Sequence, residues 1–220
     1  MRDRITRDDF ARMIAGTVAL IRAQHAMLSQ LDCASGDGDH GATMLRAVER
    51  LETCFAVGGP EDLKTCLSEA GWSVLGVDGG ASSSLLGTMF SGMADSPACG
   101  AGLCAGDLAA IFESGLAAVR KQTKAQPGDK TLMDALVPAV AAMRAAADGG
   151  KSVPEALHEA ALAARAGAEA TQNFVARYGR AKFLGEKTRG HQDPGATSMS
   201  LLFEGFHKGL EESKGESGNG

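Results

Sequence analysis

Cysteine is scarce and unpaired in pattern. The five residues Cys33, Cys54, Cys66, Cys99 and Cys104 are odd in number and include no C-x-x-C pair, which speaks against a disulfide framework and a zinc knuckle. Long hydrophobic runs are missing too: no stretch approaches the roughly eighteen apolar residues of a spanning helix, and the charged start Met1-Arg2-Asp3-Arg4 is no leader core. A cytoplasmic location without a membrane partner is expected. Positive charge is in deficit, with 22 Lys and Arg against 27 Asp and Glu for a net charge of -5. That balance argues against the basic stripe a nucleic-acid partner needs, and no nucleic-acid partner is expected. Equally absent are a G-x-x-x-x-G-K-[ST] loop, an H-R-D and D-F-G pair, and a G-x-S-x-G elbow. Any phosphate chemistry here runs on a less common scaffold.

Aromatic residues make up only 5% of the chain, whereas 44% is hydrophobic, and alanine and glycine abound. Alanine is the best helix former and gives up little side-chain entropy, so closely packed helices are expected. Helical periodicity runs almost throughout and strand alternation almost nowhere. Thr6, with Asp8 and Asp9 behind it, caps a first helix through Phe10, Met13, Ile14, Val18 and Ile21. A second helix opens near Ala42 and reaches Cys54, where Val57-Gly58-Gly59-Pro60 stops it. A third starts around Pro60-Glu61-Asp62, and a short glycine-bearing one follows the Gly79-Gly80 break. Asp107 caps a helix through Val119, and Asp129 or Thr131 caps another through Ala147 in which Pro138 should introduce a kink. Pro154 opens a long helix ending near Tyr178, and a last helix covers Ser198 to Leu210. About eight helices result, in a single domain over residues 1–210, followed by a polar tail over 211–220 that reads as disordered.

The loops between these helices carry the chemistry. Asp32, Asp37 and Asp39 place three carboxylates within eight residues, around Gly36-Asp37-Gly38-Asp39-His40-Gly41. Three like charges this close call for a cation, and oxygen-only ligands on a tight loop suit Mg²⁺. The segment formally matches G-x-G-x-x-G, but a helix rather than a strand precedes it, and an EF-hand reading fails because Ala42 and Val48 replace the required glycine and glutamate. Gly79-Gly80-Ala81-Ser82-Ser83-Ser84 could bind phosphate at a helix start or serve as a small-residue helix contact. Gly190-His191-Gln192-Asp193-Pro194-Gly195-Ala196-Thr197-Ser198 reads either as a nucleotide-holding turn or as an ordinary Asp-Pro-Gly turn. Pro127-Gly128-Asp129-Lys130-Thr131-Leu132-Met133-Asp134 reads, by composition, as a helix cap.

Taken in order, Leu31-Asp32 with Gly36 to Gly41, Gly79 to Ser82, Pro127 to Thr131, Gly179-Arg180-Ala181 with Leu184-Gly185-Glu186, and Gly190 to Ser198 resemble the L subunit of bacterial dihydroxyacetone kinase over about residues 6 to 210. The resemblance implies an all-α fold, an antiparallel barrel of eight helices with a nucleotide, ADP or ATP, and two Mg²⁺ ions at one end. It implies that Asp32, Asp37 and Asp39 are metal ligands and, with His40, catalytic. His40, Gly41, Ala42 and Thr43, with Ala81 and Ser82, would hold phosphates, and Thr123, Leu132, Arg180, Asp193, Pro194 and Gly195 would surround the rest of the nucleotide. His40 is expected to donate to phosphate or orient it rather than carry the phosphoryl group. Dihydroxyacetone would be held on a separate K subunit, and the phosphoryl donor would be a phosphoenolpyruvate-dependent phosphotransferase relay protein. Alternatives are an ATP-dependent kinase for dihydroxyacetone or a four-carbon ketose, and a non-catalytic nucleotide-binding regulatory module. A homodimer stays open.

Overall fold

The computed structural model describes residues 4–34, 36–56 and 62–211. Helix α1 (Arg7–Cys33) begins at the expected Thr6, whose backbone N–H donates to Asp9 Oδ2 at 2.9 Å while the Asp9 N–H donates to Thr6 Oγ1 at 3.3 Å. This reciprocal cap satisfies two donors that the first turn would otherwise leave open. Helix α2 (His40–Phe55) starts two residues before the expected Ala42. Helix α3 (Leu63–Leu75) is capped by Asp62, which accepts the Thr65 N–H at 2.8 Å. The expected stop at 57–60 and the Pro60-Glu61 start lie outside the described residues.

Helix α4 (Gly80–Ala94) follows the Gly79-Gly80 break, and α5 (Ala105–Gln122) is capped through Asp107, which accepts the Cys104 N–H at 3.0 Å. Helix α6 (Met133–Asp148) encloses Pro138. Neither expected cap holds the N-cap position, which falls at Leu132 without a side-chain cap bond: Thr131, one residue earlier, accepts the Met133 N–H at 3.2 Å, and Asp129 turns back to the Gln126 N–H at 2.8 Å. Helix α7 (Val153–Ala170) carries Pro154 in its first turn but ends well short of Tyr178. The Thr171 hydroxyl donates to the Ala168 carbonyl, the chain tightens into a 3-10 turn over Thr171–Asn173, and Phe174 is extended. Thr and Asn side chains compete for backbone groups in this way and end helices. Helix α8 (Pro194–Glu211) begins four residues before the expected Ser198, with proline at its first position, where a missing N–H costs nothing. Glu211 belongs to this helix, and the rest of the expected tail lies outside the described residues.

Among the described residues the only β pairing is an isolated bridge between Ile5 and Leu103, and no helix is long and apolar enough to cross a membrane. Each helix packs on its sequence neighbours and α8 returns to α1, so the order of contacts is cyclic. One apolar core runs through the set. Phe112 lies 5.4 Å from Phe203 and 5.7 Å from Phe206, centroid to centroid, and Phe10 stacks on Phe55 at 5.4 Å. Helices α1 and α8 meet backbone to backbone: a Cβ on Gly16 would strike the Gly205 carbonyl, and one on Gly205 would strike Thr17.

Candidate functional site

Asp32 sits in the last turn of α1, and the chain then reverses so sharply that its carboxylate receives the next segment. Asp32 Oδ2 accepts the N–H of Gly38 at 2.9 Å and of His40 at 3.3 Å. Gly38 makes the reversal with φ of 79°, a region that costs glycine little. The reversal brings Asp37 and Asp39 back to Asp32, and one carboxylate oxygen from each lies within 4.8 Å of the others. Asp32 is half-buried, and Asp37 and Asp39 are exposed. The Arg180 guanidinium pairs with Asp37 and holds its carboxyl below the usual carboxylate range. An all-oxygen donor set on a surface open to solvent fits a hard dication that keeps part of its water shell. Arg180 meets the same demand for positive charge.

These residues form one wall of a cavity of about 330 Å³, near the lower end of the usual size for small-molecule sites. Gly79, Gly80, Ala81 and Ser82 supply a second wall from the start of α4. Thr123 and Ala125 after α5, with Lys130, Thr131, Leu132 and Met133 at the start of α6, supply a third. Tyr178, Gly179, Arg180 and Ala181, with Asp193, Pro194 and Gly195 at the start of α8, close the fourth. Helices α2, α4, α6 and α8 thus all begin at the cavity. Helix N-termini carry partial positive charge and orphan N–H groups, so their convergence favours an anion.

Inside this frame three ionisable groups are shifted by burial. His40 is 6% exposed, and desolvation lowers its pKa below the ordinary value against the opposing pull of Asp32 and Asp39. Its Nε2 lies 3.0 Å from Ser198 Oγ, whose proton is directed to the Gly195 carbonyl at 3.0 Å. Through Ser198 the imidazole is tied to the start of α8. Asp193 lines the cavity only partly exposed, and desolvation pushes its carboxyl up to about 7 although the Ala196 N–H and Lys130 pull the other way. Burial likewise lowers the Lys130 ammonium from its usual value, opposed by Asp193 and Asp134.

Of the residues expected at the site, Asp32, Asp37, Asp39, His40, Ala81, Ser82, Thr123, Leu132, Arg180, Asp193, Pro194 and Gly195 meet at this one cavity. Gly41, Ala42 and Thr43 do not line it. Gly41 packs against His25 and Ser29 of α1, and a Cβ there would collide with both. The Thr43 N–H is taken by the Asp39 carbonyl at 2.9 Å. What Gly41 and Ala42 can offer is first-turn N–H groups that have no helical acceptor. Lys130, Thr131, Met133 and Tyr178 were not assigned a site role from the sequence, because a lysine beside a capping aspartate reads as solvated.

The model of the DAK2 domain matches residues 34–208. The chain belongs to the DAK2 domain family. Relatives of this DAK2 chain include the PEP-dependent dihydroxyacetone kinase 1, ADP-binding subunit DhaL, of Listeria innocua, 36% identical over 186 residues that cover 83% of this chain and 86% of that one. The PEP-dependent dihydroxyacetone kinase, ADP-binding subunit DhaL, of Escherichia coli is 37% identical over 177 residues, covering 80% and 84%. Among solved structures, the dihydroxyacetone kinase from C. freundii in complex with AMP-PNP and Mg²⁺ superposes with a TM-score of 0.71 at 26% identity. That match covers 90% of this DAK2 chain and 33% of the other, so the chain spans about a third of that kinase.

Proposed function

We propose that the chain is the ADP/ATP- and Mg²⁺-binding subunit of a dihydroxyacetone kinase. In this reading it is a phosphotransferase component: a single helical domain over residues 1–210, arranged as an antiparallel eight-helix barrel in the cytoplasm. It transfers a phosphoryl group to dihydroxyacetone held on a separate K subunit, and its bound ADP is recharged by a phosphoenolpyruvate-dependent relay protein. The observation that carries the reading is one cavity with three clustered carboxylates on one wall and four helix starts around it. The cyclic order of helix packing supports the barrel. The names of the relatives at 36% and 37% identity support ADP as the nucleotide and the relay as the donor.

Two Mg²⁺ ions held by Asp32, Asp37 and Asp39 would neutralise the phosphate oxygens that crowd during transfer. Ala81 and Ser82 would offer hydrogen-bond donors to the same oxygens from the cavity wall, and Gly41 and Ala42 would contribute first-turn N–H groups from behind it. His40, buried and bonded to Ser198, orients the start of α8; it is not a carrier of the phosphoryl group. Arg180 is drawn to the carboxylates before loading and is placed to follow the phosphates afterwards. Leu132 and Thr123, with Asp193 to Gly195, enclose the remainder of the nucleotide and exclude water from it.

The test is the nucleotide content of the purified protein, released by denaturation and identified by chromatography and mass spectrometry, before and after dialysis against EDTA. Near-stoichiometric ADP that leaves only with the metal is the expected result. A site that is empty on purification and binds ATP reversibly with Mg²⁺ would favour the ATP-dependent reading, which the AMP-PNP complex of the C. freundii kinase supports. Absence of any nucleotide binding would overturn the proposal.

A further inference from the structure

Lys130 is the only non-glycine residue with positive φ among the described residues, at 62°, a conformation that costs a side-chain-bearing residue energy. It is also 4% exposed, which is rare for lysine. A glycine would serve the turn without strain, so the side chain must supply what glycine lacks. Its Nζ donates to the Thr171 carbonyl at 2.6 Å and to the His191 carbonyl. Thr171 is the C-cap of α7, where a cation is favoured by the dipole and by the orphan carbonyls. His191 opens the segment that delivers Asp193, Pro194 and Gly195 to the cavity.

Around that ammonium the segment 190–197 has further ties, among them a bond between His40 and the Pro194 backbone. The Gly190 N–H donates to the Gln172 carbonyl at 2.8 Å, and the Asp193 N–H donates to Thr171 Oγ1 at 2.8 Å. The carboxylates of Asp193 and Asp134 lie close enough to Lys130 to favour its charge. Asp134 in turn fixes the other side of the turn by accepting the N–H of Gly128 at 2.5 Å and of Thr131 at 2.7 Å. Lys130 thus joins the α5–α6 loop, the end of α7 and the segment leading into α8, three segments with no backbone continuity at the cavity.

We infer that Lys130 is a positioning residue for nucleotide binding, a buried clamp whose ammonium locks the 190–195 segment against the α5–α6 loop so that the two walls around the nucleotide hold a fixed spacing. The inference rests on the nucleotide reading above. It assigns Lys130 no contact with the phosphates and no part in holding Mg²⁺.

The test compares wild type with Lys130→Met and Lys130→Gly, the latter removing the backbone strain together with the ammonium. Two quantities are read: the ADP dissociation constant in Mg²⁺ by calorimetry, and amide hydrogen exchange resolved by segment. Because bonds to a charged donor are the strong ones, both variants should bind ADP about tenfold or more weakly. Exchange should accelerate at Gly190, Asp193 and their neighbours while residues 36–43 keep wild-type protection. Where the Met variant fails to fold, the Gly variant decides. ADP affinity within twofold of wild type in a folded variant would overturn the clamp, as would exchange lost equally at 36–43, or failure of both variants to fold, since Lys130 would then serve the whole fold. If wild type itself binds no ADP, the nucleotide reading fails while exchange confined to 190–197 still marks the clamp.

Discussion

Single residues at this site are set by conflicts of charge that a neighbour resolves. Asp32, Asp37 and Asp39 repel one another, and the exposed pair between Asp37 and Arg180 relieves part of that repulsion. An exposed pair of this kind adds little stability. Removing the Asp37 charge should therefore leave the ligand-free fold almost untouched while removing a ligand from the proposed cation site. Asp37→Asn is expected to melt within a degree or two of wild type by differential scanning calorimetry, on the order expected for a surface substitution. Its affinity for Mg²⁺ and ADP, titrated together, is expected to fall by at least about tenfold, since even residues that only support a metal ligand commonly matter that much. A variant that kept wild-type affinity for the Mg²⁺-dependent nucleotide would remove Asp37 from the ligand set. The three aspartates were legible in the sequence because eight residues hold them and local spacing alone brings them together. Lys130 was not, because its two acceptors lie 41 and 61 residues away, and nothing in its neighbours signals burial.

At the scale of elements, helices with strong terminal signals were read well. Thr6 with Asp9 begins α1 where the sequence places it, whereas α3 opens at Leu63 behind Asp62 and the expected Pro60-Glu61 part of its start lies outside the described residues. Where a residue has two readings, the boundary moved. Pro194 was read as part of a turn and is instead the first residue of α8, and the Thr171-Gln172-Asn173 stretch was read through as helix although its side chains compete with the backbone. The earlier end of α7 lengthens the α7–α8 connection and the earlier start of α8 trims it, and the stretch between carries Arg180 and the partners of Lys130. How closely helices approach was not legible, because glycine in a helix reads only as a weak position. The contact of α1 with α8 shows what those glycines do, since the Cβ of an alanine at 205 would meet the backbone of Thr17, which cannot turn aside as a flexible side chain would. Helix propensity alone favours alanine over glycine by about 1 kcal/mol. Overpacking costs roughly 1–3 kcal/mol or more, and here it opposes the gain against rigid backbone. Gly205→Ala is thus expected to lower stability by about 1–2 kcal/mol net in urea unfolding, with an unchanged slope. A stabilised variant would mean that α1 and α8 are not locked at this crossing.

On the scale of the whole molecule, the even-numbered helices all begin at one end, and their N-terminal dipoles add at the cavity. A ring of helices whose contacts run in cyclic order places those starts around one space, whereas the carboxylates at the end of α1 put negative charge on one wall of it. The end therefore combines an excess of positive dipole on three sides with clustered negative charge on the fourth, an arrangement that an anion and a dication together neutralise better than either alone. Binding of the two should consequently be cooperative, and both bind the folded chain only. A ligand at a hundred times its dissociation constant stabilises the native state by about 2.7 kcal/mol, and for a chain of this size each kcal/mol raises the melting temperature by roughly 2–4 °C. ADP with Mg²⁺ is accordingly expected to raise Tm by about 5–10 °C, and ADP with EDTA, or Mg²⁺ alone, by much less than half of that. Equal shifts with and without the metal would separate the carboxylate cluster from the nucleotide and leave the helix starts to account for binding by themselves.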